Sequence, residues 1–95
     1  MAQIIWSNQA LSDLLDIAEY IAKDSHKYAQ RTVTKLYNKV SVLESNPQIG
    51  RIVPELNQEK VREIIEGNYR IIYEVKEREV QILTVHHSAR NLTIN

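Results

Sequence analysis

The hydrophobic period of this chain changes once, and that change constrains the fold more than any other feature. From Asn8 to Leu43 apolar residues recur every three or four positions, whereas from Val61 onward they alternate. Leu11, Leu14, Leu15, Ala18, Ile21 and Ala22 trace one face of an amphipathic helix, with Asp13, Asp16, Glu19 and Lys23 largely on the other side. Ala29, Val33, Leu36, Val40 and Leu43 mark a second helix of about five turns. Ser7 and Ser25 precede these runs as N-caps, each hydroxyl placed to accept from an orphan amide of the first turn. Only Asp24 and Ser25 part the two helices, so they form an antiparallel hairpin. Asn46-Pro47 ends the second, because a residue before proline is pushed out of the helical conformation.

Gln3 to Trp6 is a short apolar run suited to an opening strand. Gln48 to Lys60 is the longest irregular stretch, and loops of that length in a small domain are often functional. Three strands follow: Val61–Glu66, Tyr69–Val75 and Glu79–His86, joined at Gly67-Asn68 and at Lys76-Glu77-Arg78. The order β-α-α-β-β-β predicts a two-layer α+β fold, a single domain over residues 1–95. An N-terminal helical hairpin packs on one face of a mainly antiparallel four-stranded sheet, the opening strand pairing with a later one along an edge.

The chain has no cysteine, which excludes a disulfide scaffold, a thiolate nucleophile and a cysteine-ligated metal. Apolar runs fall well short of the roughly 18–20 residues that span a bilayer. The N-terminus lacks the basic and apolar regions of a signal peptide, so the expected location is cytoplasmic, without membrane contact. Twelve basic and twelve acidic residues cancel. A protein that grips nucleic acid by phosphate neutralisation alone normally shows a basic excess, although a neutral chain can still carry a local basic patch.

Arginine in the middle of the β-run Tyr69-Arg70-Ile71-Ile72-Tyr73 must be solvated, paired, or aimed at an anion. Alternation puts Tyr69, Ile71, Tyr73 and Val75 against the helices and Arg70 on the opposite face, or in a concavity between strands and loop. Arg62 is grouped with Ile64 and Glu66. The ordinary outcome for either arginine is a cross-strand ion pair with Glu63, Glu66 or Glu74. His86 and His87 end the last strand on opposite faces, and one of them is a candidate acid or base near neutral pH. His26 is the only other histidine, too little for a metal site, so no metal or cofactor is expected. Glu55, held by Pro54, is the best carboxylate base. Trp6, Tyr20, Tyr28 and Tyr37 read as packing residues.

The chain resembles the RelE/ParE toxin superfamily of bacterial type II toxin–antitoxin modules. The resemblance covers nearly all of it: the I-I-W-S opening, A-x-x-D-L-x-x-I-A-x-Y-I-A-x-D from Ala10 to Asp24, and N-P-x-I-G-R at Asn46–Arg51. P-E-L at Pro54–Leu56, G-N-Y-R-I-I-Y-E-V and V-x-H-H-S-A-R-N-L complete it. This resemblance implies a growth-inhibiting, plasmid-stabilising toxin held in a hetero-oligomer by a cognate antitoxin whose C-terminal segment covers the working surface. RelE-like members cut mRNA in the ribosomal A site through attack by the 2′-hydroxyl. For that chemistry Arg70 matches a strand arginine of many such nucleases, and Glu55 falls where one subgroup places a base. Ser88 stands where they carry an arginine or histidine acid, leaving His86 or His87 to substitute. The C-terminal tyrosine and lysine-rich loop of several nucleases are missing, leaving Arg51 and Lys60. ParE-like members instead inhibit DNA gyrase by protein binding, without a catalytic set. The ending His87-Ser88-Ala89-Arg90-Asn91-Leu92 and the neutral charge look more like theirs. The resemblance then implies a target- and antitoxin-binding surface of Arg51, Arg62, Arg70, His87, Ser88 and Arg90.

Overall fold

The computed structural model describes residues 1–89. Strand β1 (Gln3–Trp6) leads into α1 (Asn8–Ala22) and α2 (His26–Lys39), which tightens into a 3-10 turn at Val40–Glu44. Four strands follow: β2 (Arg51–Ile52), β3 (Val61–Glu66), β4 (Tyr69–Val75) and β5 (Glu79–His87). Both serine caps form as expected, Ser7 Oγ accepting from Ala10 N at 3.0 Å and Ser25 Oγ from Tyr28 N at 3.1 Å.

The sheet has five strands, not four, in the order β1-β5-β4-β3-β2. The addition is β2, two residues inside the stretch read as irregular, pairing Arg51 with Glu63 and Ile52 with Arg62. Both its residues are exposed, so no alternation marks it. β1 lies at the other edge, parallel to β5, and every other pairing is antiparallel. The two-layer α+β arrangement holds.

Ala10 and Leu14 of α1, Leu36 of α2, and Val40 and Leu43 of the 3-10 turn pack on Ile64, Ile71, Tyr73, Val80, Ile82 and Val85. Tyr69 and Val75 border the same cluster, so all four alternate residues of β4 face the helices as read. The helix stripe is narrower than its period suggests: Leu11 and Leu15 remain 43% and 65% exposed. Tyr20, Tyr28 and Tyr37 are also more than half exposed and not interior packing residues, although Tyr37 stacks on Trp6 at 5.2 Å.

Asp13 departs furthest from expectation. It turns toward the sheet, where its carboxylate accepts from Val85 N at 2.9 Å and from the Thr84 hydroxyl. β1 stops opposite Ile82, leaving the end of β5 without a strand on that side, and a register shift lies between Ile72 and Tyr73. The helix carboxylate takes the place of the missing strand.

Candidate functional site

The second sheet face is covered in part by the segment after β2. Val53, Val61 and Ile72, with Leu56 and Leu83, form a small apolar cluster there. Leu56 and Asn57 turn back on Val53, their amides donating to its carbonyl at 3.1 and 2.9 Å. Asn57 adopts φ 50°, a left-handed conformation that asparagine tolerates better than most residues. This tight turn delivers Glu55 to the sheet.

Glu55 meets Arg70 there, each oxygen accepting from one terminal guanidinium nitrogen at 2.8 Å. The Arg70 Nε donates to Glu63 Oε1 at 2.6 Å, and the other Glu63 oxygen accepts from Arg51 Nε. Arg70 is 8% and Glu63 1% exposed. Four charges of alternating sign, Arg51–Glu63–Arg70–Glu55, thus run across β2, β3, β4 and the loop. Burial of two ions is tolerated because both oxygens of Glu55 and both of Glu63 have an arginine donor. The hydrogen bonds from Arg70, with its charge, hold the Glu55 carboxyl down at about 2, against 4.5 ordinarily. The same pairing drives Arg70 further above its already high value, against the opposing pull of burial.

The structure therefore brings Arg51, Glu55 and Arg70 together and adds Glu63 as the shared hub. His86 lies directly across from Arg70 in the β4–β5 register, half-buried. Arg62 belongs elsewhere. Opposite Tyr73, it donates to the carbonyls of Glu59 at 3.1 Å, Gly50 at 3.0 Å and Gln48 at 3.4 Å, tying both ends of the long loop. In no ion pair among the described residues, it holds the segment that carries Glu55 through these carbonyls. His87 packs edge-on against Tyr69 at 5.3 Å, and its Nδ1 accepts from Ala89 N at 3.1 Å. Ser88 is exposed, its amide donating to Asn68 O at 2.8 Å, which docks the end of β5 on the β3–β4 turn. Arg90 lies outside the described residues.

Gly50 allows the close approach behind this chain of charges. Its amide donates to the Tyr73 hydroxyl at 3.0 Å, and a Cβ there would collide with that hydroxyl and with the Glu63 carbonyl. Burial raises the Tyr73 phenol, which stays protonated at neutral pH. Glu63 was legible only as one of several possible partners, whereas Asp13 gave no signal, since its spacing put it on the solvent side.

A separate cleft of about 790 Å³ opens on the helix side, between the hairpin, the β3–β4 turn and the end of β5. Tyr20, Tyr28 and Tyr69 line it, together with Arg31, Lys35, Asp13, Asp16 and Glu66. Among the described residues, no group of three or more His, Asp or Glu side chains is placed to hold a metal. No helix among them is long and apolar enough to cross a membrane.

The profile of the family described as the ParE toxin of the type II toxin–antitoxin system parDE matches residues 4–92. Toxin RelE2 of Caulobacter vibrioides is 34% identical over 90 residues, covering 95% of this chain and 99% of that one. The fold also matches a solved chain of the chromosomal ParDE system from P. aeruginosa, with TM-score 0.76 at 23% identity over 92% of this chain and 96% of that one. A YoeB–YefM complex from Staphylococcus aureus gives TM-score 0.56 at 17% identity, covering 92% and 97% of the two chains. This chain belongs to the ParE toxin family, within the RelE/ParE superfamily, and is the toxin component of a type II toxin–antitoxin module.

Proposed function

We propose that this toxin acts by binding DNA gyrase, not by cutting RNA, and that a cognate antitoxin neutralises it by covering the same surface. The observation that carries this reading is the state of Arg70. Its Nε and both terminal nitrogens are engaged by two carboxylates, so its charge is already compensated inside the protein. A nuclease needs that charge for the developing phosphorane and needs a base able to take a proton near neutrality. Glu55, held at about 2, is a poor base at pH 7. The outer sheet face carries instead what a protein interface uses. Arg51 keeps 64% of its side chain in solvent, and Ile65, opposite Arg70 on the same face, is 48% exposed. With the end of β5, this surface is offered to the target. Supercoiling by gyrase in the presence of purified toxin tests the reading: inhibition is expected, and undiminished supercoiling at saturating toxin overturns it.

One observation favours a second reading. Arg70, Glu55 and His86 share one face, the residue types that ribosome-dependent mRNA cleavage would use, and the relative named above is a RelE. Cleavage would require Glu55 to release Arg70 to the phosphate. Intact message on translating ribosomes rules that reading out.

A further inference from the structure

The outer surface of α2 is unexplained by any of this. Lys27, Arg31, Lys35 and Lys39 recur every fourth residue, and the helix His26–Lys39 contains no carboxylate at all. All four cations are exposed, and none lies in an ion pair among the described residues. At 100° per residue they sweep roughly a third of the helix circumference, away from the buried line of Ala29 and Leu36.

This arrangement works against the helix that bears it. Three successive i, i+4 pairs are like-charged, and each such pair destabilises a helix. Lys27 stands in the first turn, where the helix dipole is positive and no acidic residue offsets it. Meanwhile α1 holds Asp13, Asp16 and Glu19 with no lysine or arginine, so a chain of zero net charge is sharply divided between its two helices. A neighbouring row of acids was available to the fold, yet the basic row is left unpaired.

We infer that the outer face of α2 is a docking surface for the sugar–phosphate backbone of duplex DNA. The cations advance about 6 Å per step along a rigid axis, while each DNA strand advances about 3.4 Å per phosphate, so each step passes nearly two phosphates. The row is straight, with Arg31 and Lys35 at the border of the helix-side cleft, and a straight row of charges suits a stiff duplex. Single strands are held in basic grooves with stacked aromatic rings. The groove beside α2 is not basic in that way, because Asp13, Asp16 and Glu66 outnumber Arg31 and Lys35 among its lining and oppose a strand entering it. The contact carries no base readout and is independent of the gyrase reading, since it concerns the toxin and DNA alone.

Fluorescence anisotropy of a labelled mixed-sequence duplex with the full-length toxin tests this. Binding is expected at low salt, with a log–log salt slope of about −3 to −4, as for three or four neutralised phosphates. K27E/R31E/K35E is expected to lose at least about tenfold in affinity and to flatten the slope toward zero. The milder R31A/K35A should lower the slope by about two, so a folding failure of the triple variant does not decide the matter. K76E/R78E, which removes two cations from the β4–β5 turn, should leave both affinity and slope unchanged. Absence of binding at low salt overturns the inference. So does an unaltered slope in R31A/K35A, or tighter binding to single-stranded RNA or polyglutamate than to the duplex.

Discussion

Glu63 and Arg70, on adjacent strands, form an ion pair at 2.6 Å in which the carboxylate side chain has no solvent exposure and the arginine only 9%. The pair anchors the row of charges on the outer sheet face. Breaking it from one side strands a buried ion, and the usual cost of that is about 3–5 kcal/mol. Arg70 keeps Glu55 when Glu63 is lost, so Glu63→Ala is expected at the low end, about 3 kcal/mol. Urea denaturation followed by far-ultraviolet circular dichroism measures it. Replacing both partners, Glu63→Leu with Arg70→Met, should recover most of the loss, because a buried pair exchanged for apolar volume is often neutral.

Glu55 titrates in a window set by the same arginine. Its folded-state value of about 2 lies below the ordinary 4.5. A depressed carboxylate contributes stability that is fully present above the unfolded value and lost as pH falls through the folded one. The contribution should therefore disappear between pH 4.5 and about 2. Carboxyl NMR shifts should give a Glu55 midpoint near 2 in the native protein and a clearly higher one in Arg70→Ala. Because the Glu55 side chain is 43% exposed, added salt should weaken the stabilisation.

Asp13→Ala removes the acceptor for Val85 N and the Thr84 hydroxyl at the unpaired end of β5. A part-buried donor left without a partner costs about 1–3 kcal/mol. A loss of that size is expected in thermal denaturation, with amide exchange at Val85 accelerated more than at Ile82. Asp13→Asn, which keeps an acceptor oxygen, should cost less.

Asp13 also shows where sequence pattern stops informing. Period places residues on a helix face, and it placed Leu14, Leu36, Ile71 and Tyr73 correctly because burial decides them. It cannot report that β1 ends early and that a polar group must complete β5, since that depends on the register of two strands far apart in sequence. Leu11 and Leu15 were over-assigned for the opposite reason: a helix stripe can be wider than the sheet beneath it. Arg70 was readable as an arginine needing a partner. Glu55, fifteen positions away, reaches it only through the turn at Asn57, which leaves no periodic trace.

Gly50→Ala is expected to destabilise by about 1–3 kcal/mol, the range for forcing extra volume into a packed site. The added methyl would displace the Tyr73 hydroxyl or the Glu63 carbonyl. Tyr73→Phe, which only deletes the hydrogen bond to Gly50 N, should cost about 1 kcal/mol. Chemical denaturation of the two variants orders them.

The gyrase and nuclease readings separate at Arg70 once stability is held constant. A nuclease loses its transition-state cation with this side chain, and oxyanion-type donors are worth about 100- to 1000-fold in rate. A gyrase binder loses only a buried structural ion, since Arg70 is 8% exposed and presents little surface to a partner. The Glu63→Leu/Arg70→Met variant keeps the strands packed while deleting the charge. It is expected to inhibit supercoiling within about threefold of the native protein, a difference under 1 kcal/mol. Arg51→Glu, which reverses an exposed charge on the proposed contact face, is expected to weaken inhibition at least about tenfold. If instead the double variant abolishes growth inhibition while remaining folded, and Arg51→Glu leaves it intact, the working group is Arg70 and the toxin cuts RNA.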